Sequence, residues 1–232
     1  MTTQGPLSIF FIFEKKSLIL PKIKSKKMAY RDFKEKDLKD KFNIRQKHQP
    51  VFMGKIVVPI APSQRLLDAL SDAKLITLST EKAISERIVA PILAEMKRRN
   101  PQLIQIFSGE IINADRSAGL NGEIDFIITR ATDTIAPQAP ILSVTEAKIG
   151  KIEKAIPQAA AQMLGARVFN QANNEALDVI HGLITDGTSW LFLRLEGTTL
   201  TINDTLYYTN TLPDLIGGLQ MIVDFYAITP SE

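Results

Sequence analysis

Charged side chains interrupt two runs that otherwise read as buried β-strand, and three of them, Asp125, Glu146 and Lys148, have to be satisfied together by the fold. The first run is Gly122-Glu123-Ile124-Asp125-Phe126-Ile127-Ile128, and the second is Ile141-Leu142-Ser143-Val144-Thr145-Glu146-Ala147-Lys148. In a strand, residues i and i+2 project to one face. Glu146 and Lys148 therefore stand together, and Asp125 meets them if the two strands pair. Two carboxylates and an ammonium are expensive to gather inside a sheet of Ile, Leu, Val and Phe. A divalent cation in the gap relieves the repulsion. An ordinary ion pair between Glu146 and Lys148 at a strand edge is the other reading of the same tripeptide.

Composition narrows the cation. The chain has 232 residues, no cysteine and two histidines, His48 and His181. That excludes a disulfide framework, a thiol nucleophile, Cys-based zinc sites and a His-rich centre. Oxygen donors remain, and these favour Mg²⁺, Mn²⁺ or Ca²⁺. Asp125 and Glu146 are the expected ligands, and the Ala147 carbonyl between the two functional side chains is the expected third donor. Lys148 would then lie beside water held by the cation. There it would orient that water, lower its pKa or stabilise charge in a phosphorane-like transition state. Ser, Thr and His form no triad. Gly119 and Gly122 fit no nucleotide fingerprint. His181, inside Val179-Ile180-His181-Gly182-Leu183-Ile184, reads as a satisfied core histidine, and Trp190 as a core residue.

Helical segments flank these strands. Ile84, Ile88, Ile92 and Met96 recur every four residues, which predicts a long helix over Thr80–Arg99, kinked by Pro91. At about 100° per residue, Glu81 falls inside the apolar arc and Glu86 at its margin. Glu81 is thus the better candidate for an extra ligand or an orienting group, while Glu123 reads as surface charge. A second helix is expected over Ala155–Asn173. Gln158 and Gln162 stand one turn apart on it, among alanines that let a ligand or backbone approach. They can serve water, a phosphate oxygen or the outer shell of a metal, or simply form a polar face.

Further elements complete the pattern. A short helix is expected at Ser63–Leu70 and strands at Leu103–Asn113, Glu123–Arg130, Ile141–Lys148 and Val179–Thr185. A hairpin of Trp190–Leu195 and Thr199–Asn203, turned at Glu196-Gly197, and a helix over Thr211–Ala227 close the chain. The meander pairs the second and third strands, and a crossover to Val179–Thr185 makes the sheet mixed.

Charge divides the chain. Residues 1–50 carry 13 Lys and Arg against 5 Asp and Glu, a net of +8, and the remainder nets −5. We expect 1–50 to be a basic, partly disordered arm and 51–232 the folded domain. The arm suits a polyanion partner and equally a solvated leader. Met28 offers a second start, with Met1–Lys27 as a leader without a fold of its own. The run Leu7–Phe13 is too short to span a bilayer and lacks the flanks of a signal peptide. A cytoplasmic protein without a membrane partner is expected.

The order and spacing of Glu81-Lys82-Ala83-Ile84-Ser85-Glu86, Gly122-Glu123-Ile124-Asp125-Phe126, Val144-Thr145-Glu146-Ala147-Lys148 and Gln158 resemble the PD-(D/E)XK nuclease superfamily. More narrowly, they are similar to the nuclease domain of type I restriction enzyme motor subunits and their small stand-alone relatives. Gly182–Trp190 is similar to the strand and turn after the glutamine helix there. The likeness spans about 73–219. Ile124 stands where the superfamily's name places a proline. The resemblance implies an α/β fold, a restriction-endonuclease-like mixed sheet flanked by helices (an αβββαβ core) with a C-terminal hairpin and helix. It implies Mg²⁺-dependent hydrolysis of phosphodiester bonds, in DNA, with metal on Asp125 and Glu146, catalysis by Lys148 and support from Glu81 and Gln158. The acidic body keeps an alternative: the same fold holding nucleic acid or a protein partner without cleavage. A homodimer is also compatible.

Overall fold

The computed structural model describes Met1 and residues 28–228. Apart from Met1, the expected leader lies outside the described residues. The strands are β1 (Arg45–His48), β2 (Ile104–Asp115), β3 (Leu120–Arg130), β4 (Ile141–Ala147), β5 (Val179–Thr185), β6 (Ser189–Glu196), β7 (Thr199–Ile202) and β8 (Tyr207–Tyr208). They form one open, mixed, eight-stranded sheet in the order β1-β7-β6-β5-β4-β3-β2, with β8 on β6. The pairs β4–β5 and β1–β7 are parallel and the others antiparallel. Every residue of β4 and β5 is buried, which matches their near-continuous apolar sequence and central place.

Helices cover both faces, giving an α/β molecule with two cores. On one face lie α1 (Glu35–Phe42) and α5 (Ile156–Ala172). They pack with Ile127, Val144, Ile180, Ile184 and Leu193 of the sheet. On the other lie α2 (Gln64–Ala73), α3 (Glu81–Ile84), α4 (Ala90–Arg99) and α6 (Leu212–Ile228), over Phe126, Leu183, Trp190 and Phe192. No helix among the described residues is long and apolar enough to cross a membrane.

Helices α3 and α4 are one helical run joined by a π turn over Ser85–Val89. Pro91 has no N–H to donate and its ring crowds the carbonyl four residues back. Widening the ladder just ahead of it accommodates the ring. In α5, Pro157 sits in the first turn, where its missing N–H has no intrahelical partner to lose. The hairpin β6–β7 pairs Glu196 with Thr199, so Gly197 and Thr198 form a two-residue turn, with Gly197 at φ +53°.

The expected boundary at residue 51 moves. Residues 28–50, assigned to the basic arm, are built into the domain. Tyr30, Phe33, Leu38 and Ile44 are buried in the α5-side core, and β1 pairs with β7. A density of charge masks these apolar residues in the sequence, but the charges of α1 face solvent while Leu38 faces inward. Tyr30 lies where a Cβ on Gly165 would strike its ring, and its hydroxyl donates to the Ile112 carbonyl at 3.0 Å. Gly165 is thus the residue that lets this segment close onto α5.

Candidate metal and catalytic site

The register Phe126↔Thr145 and Ile127↔Val144 sets β3 against β4 so that Asp125 and Glu146 approach each other on the α5 face. A bulge between Ile128 and Thr129 adjusts that register, and sequence alternation alone does not show it. The Ala147 N–H donates to Asp125 Oδ2 at 2.8 Å, tying one carboxylate to the neighbouring strand. Asp125 Oδ1 takes no hydrogen bond among the described residues. Ala147 itself is fully buried, and it meets Asp125 through its N–H.

Glu146 is the hub. Its side chain is 3% exposed, and Lys148 Nζ lies 2.7 Å from Oε1. Gln158 Nε2 donates to the same oxygen at 2.6 Å, and Gln162 Nε2 donates to Oε2. Both glutamines reach it because β4 leads through residues 148–155, which end in a 3₁₀ turn at Ile152–Ala155, into α5, whose i, i+4 spacing aims both amides back at the strand end. Gln162 is fully buried, and its Oε1 finds no partner among the described residues.

Glu81 arrives from the opposite layer. Thr80 caps its helix by accepting from the Ala83 N–H at 3.0 Å. From that first turn Glu81 Oε2 comes to 3.5 Å from Lys148 Nζ. It does not point into the core as the helical arc predicts: its side chain is 49% exposed. Glu86 pairs with Lys82 on the surface, and Glu123 is exposed. Asp125, Glu146, Lys148, Gln158, Gln162 and Glu81 therefore share one locus, while Glu86 and Glu123 stand at or beyond its margin. His181 and Trp190 are core residues, hydrogen-bonded to Tyr226 and Thr209 respectively.

The electrostatics follow from crowding. Burial, then the Asp125 charge, pushes the Glu146 carboxyl up to about 7 despite Lys148 and Gln162. Burial also raises Asp125, against the Ala147 N–H and Lys148. Burial works against the Lys148 ammonium, but Glu146, Glu81 and Asp125 outweigh it and hold the lysine above its ordinary value. Two carboxylates strained upward are hard oxygen donors whose repulsion a doubly charged cation would relieve.

No protein-family model and no curated protein matches the chain. Among the described residues no group of three or more His, Cys, Asp or Glu side chains gathers as a metal cluster. Asp125 and Glu146 are two, and their donor set fits Mg²⁺ or Mn²⁺, which keep several waters and need few protein ligands.

Proposed function

We propose that this protein is a Mg²⁺-dependent nuclease of the PD-(D/E)XK type that hydrolyses phosphodiester bonds in DNA. The observation that carries the reading is the convergence of Asp125, Glu146 and Lys148 at one strand end. The glutamines of α5 and Glu81 of α3 close on the same point. The order of elements supports it: the helix α3–α4, the antiparallel meander β2–β3–β4, the crossover helix α5 and the parallel strand β5. This order is compatible with the αβββαβ core that the resemblance implies.

Asp125 and Glu146 would hold the cation. The chemistry it supplies when bound is Lewis-acid polarisation of a phosphoryl oxygen and a water made acidic enough to attack phosphorus. Lys148 places a fixed positive charge beside the reacting group, where it stabilises the charge that develops on the phosphoryl oxygens. Glu81 anchors Lys148 from the far side. Gln158 and Gln162 fix the Glu146 carboxylate, a role in which orientation matters more than charge. Lys151 and Lys154, exposed on the turn after β4, supply phosphate contacts, and the basic segment before Met28 adds others, which makes binding salt-dependent.

The test is cleavage of plasmid, single-stranded DNA and RNA in Mg²⁺ or Mn²⁺. DNA cutting by the wild type should fall at least ~10²-fold in Lys148→Ala and in Asp125→Ala. Equal behaviour of wild type and variants ends the enzymatic reading. The net charge of −5 over residues 51–232 favours one alternative, a non-cleaving module that holds nucleic acid or a protein on the same fold. In that case binding persists without metal and Lys148→Ala leaves no phenotype in cleavage.

A further inference from the structure

On the sheet face opposite Asp125 and Glu146, two polar side chains stand side by side in apolar surroundings. His181 of β5 and Arg194 of β6 are direct cross-strand partners, 2% and 6% exposed. Arg194 spends one nitrogen on Glu196, at 2.5 Å, and lies 5.9 Å from the Phe225 ring centroid. Its remaining N–H groups have no partner among the described residues. His181 Nδ1 is 2.9 Å from Tyr226 Oη. That hydroxyl also lies 2.8 Å from the Leu142 carbonyl and 3.1 Å from the Val179 carbonyl. It has one proton, and a carbonyl must receive it, so Nδ1–H is the donor to Tyr226. The other ring nitrogen, Nε2, keeps its lone pair. Burial, and then the Arg194 charge, hold His181 neutral down to about pH 3.

Both residues line a cavity of about 270 Å³ walled by Phe52 and Phe225, with Lys55 and Asp224 also on its lining. A concave, largely apolar site with a few converging polar groups is the usual form of a small-molecule pocket. We infer that this cavity is a second binding site, for a neutral planar heterocycle that carries a carbonyl beside a ring N–H. The carbonyl accepts from Arg194, the N–H donates to His181 Nε2, and the aromatic walls cover the ring faces.

Charge gives an anion no net attraction here: Glu196 already compensates Arg194, and Asp224 offsets Lys55 on the lining. A carboxylate oxygen would also face the Nε2 lone pair. A cyclic lactam or imide satisfies donor and acceptor together and adds no charge. Pyrimidine and purine bases with that edge belong to the class. The inference is independent of the proposed hydrolysis, which uses the other face of the sheet.

The test uses the full chain and three probes: uracil, N,N′-dimethyluracil and benzoate. Binding is read by calorimetry and by the His181 ring-nitrogen resonance, readily assigned because the chain has only two histidines. Uracil should bind saturably and shift the Nε2 signal. N,N′-dimethyluracil, which lacks the N–H, should bind at least ~10-fold more weakly, since it leaves a buried acceptor unpaired. Lys148→Ala should bind uracil as the wild type does, and Arg194→Met, checked by its thermal melt, should not. Equal binding of uracil and its dimethyl derivative, tighter binding of benzoate, or no binding of any probe overturns the proposal. The probe comparison is made on the wild type, so it stands even if Arg194→Met fails to fold.

Discussion

Glu146 shows how a single side chain can couple folding to a ligand. In the folded protein burial and the Asp125 charge push its carboxyl up to about 7, whereas the ordinary value is 4.5. The folded state therefore binds more protons between those values. The contribution of this group to stability is fully present below pH 4.5 and is lost as pH rises through about 7. Glu146→Gln removes that dependence. Thermal melts across the window should show the wild type losing stability relative to the variant, and Mg²⁺ should restore the wild type alone. Parallel melts with and without the cation would contradict this. The meeting of Asp125, Glu146 and Lys148 is legible in strand alternation because the period of two is rigid. The partners of Gln162 and Glu81 are not. Their side chains are long, and where they end depends on a turn and a helix start that no periodicity encodes.

The helices are set by fixed local contacts as well as by apolar stripes, and α4 illustrates this. Glu95 on its buried face accepts from the Ser63 N–H at 3.2 Å and the Ser63 hydroxyl at 2.6 Å. Arg98 and Arg99 close on the same carboxylate at 3.0 Å and 2.8 Å. Arg99 also donates to the Ala61 carbonyl. The cluster pins the start of α2 to α4. Burial alone would raise Glu95, but the bonds from Ser63, Arg98 and Arg99 prevail and bring it down to about 2. Its stabilisation is thus present above pH 4.5 and lost as pH falls toward 2. Glu95→Gln should lower the unfolding free energy in urea by ~2–3 kcal/mol near neutral pH. The deficit should shrink in acid, and an unchanged midpoint would contradict the account. Nothing in the sequence marks Glu95, because a glutamate in a helix with two following arginines is an ordinary surface pattern. The core strands are the opposite case. Val179–Thr185 is read with its observed bounds because seven consecutive buried positions leave no polar ambiguity. The kink expected at Pro91 is met by a π turn, since propensity locates a strained ladder but not how it relaxes.

Across the whole molecule, the sheet is completed only by residues that the charge pattern assigns to an arm. Tyr30, Phe33, Leu38 and Ile44 are buried, and β1 forms an edge of the sheet. Each such side chain contributes ~1.5–3 kcal/mol, and a domain of this kind is stable by only ~5–15 kcal/mol in total. A chain lacking residues 1–27 should keep its cooperative melt, and one lacking residues 1–50 should lose it. Equal melts would mean that the segment is dispensable. The mixed sheet with its flanking helices is legible from the alternation of strands and helices, whereas the sheet edge is not, because a four-residue strand in a charged stretch carries no pattern of its own. Both cores exist to hold β3, β4 and α5 in register, and the register brings the acidic pair together. Titration of Mn²⁺ into the wild type and into Asp125→Ala, followed by calorimetry, tests that claim most directly. The account predicts saturable uptake of about one equivalent by the wild type and none by the variant. No uptake by the wild type, or equal uptake by both proteins, would contradict it.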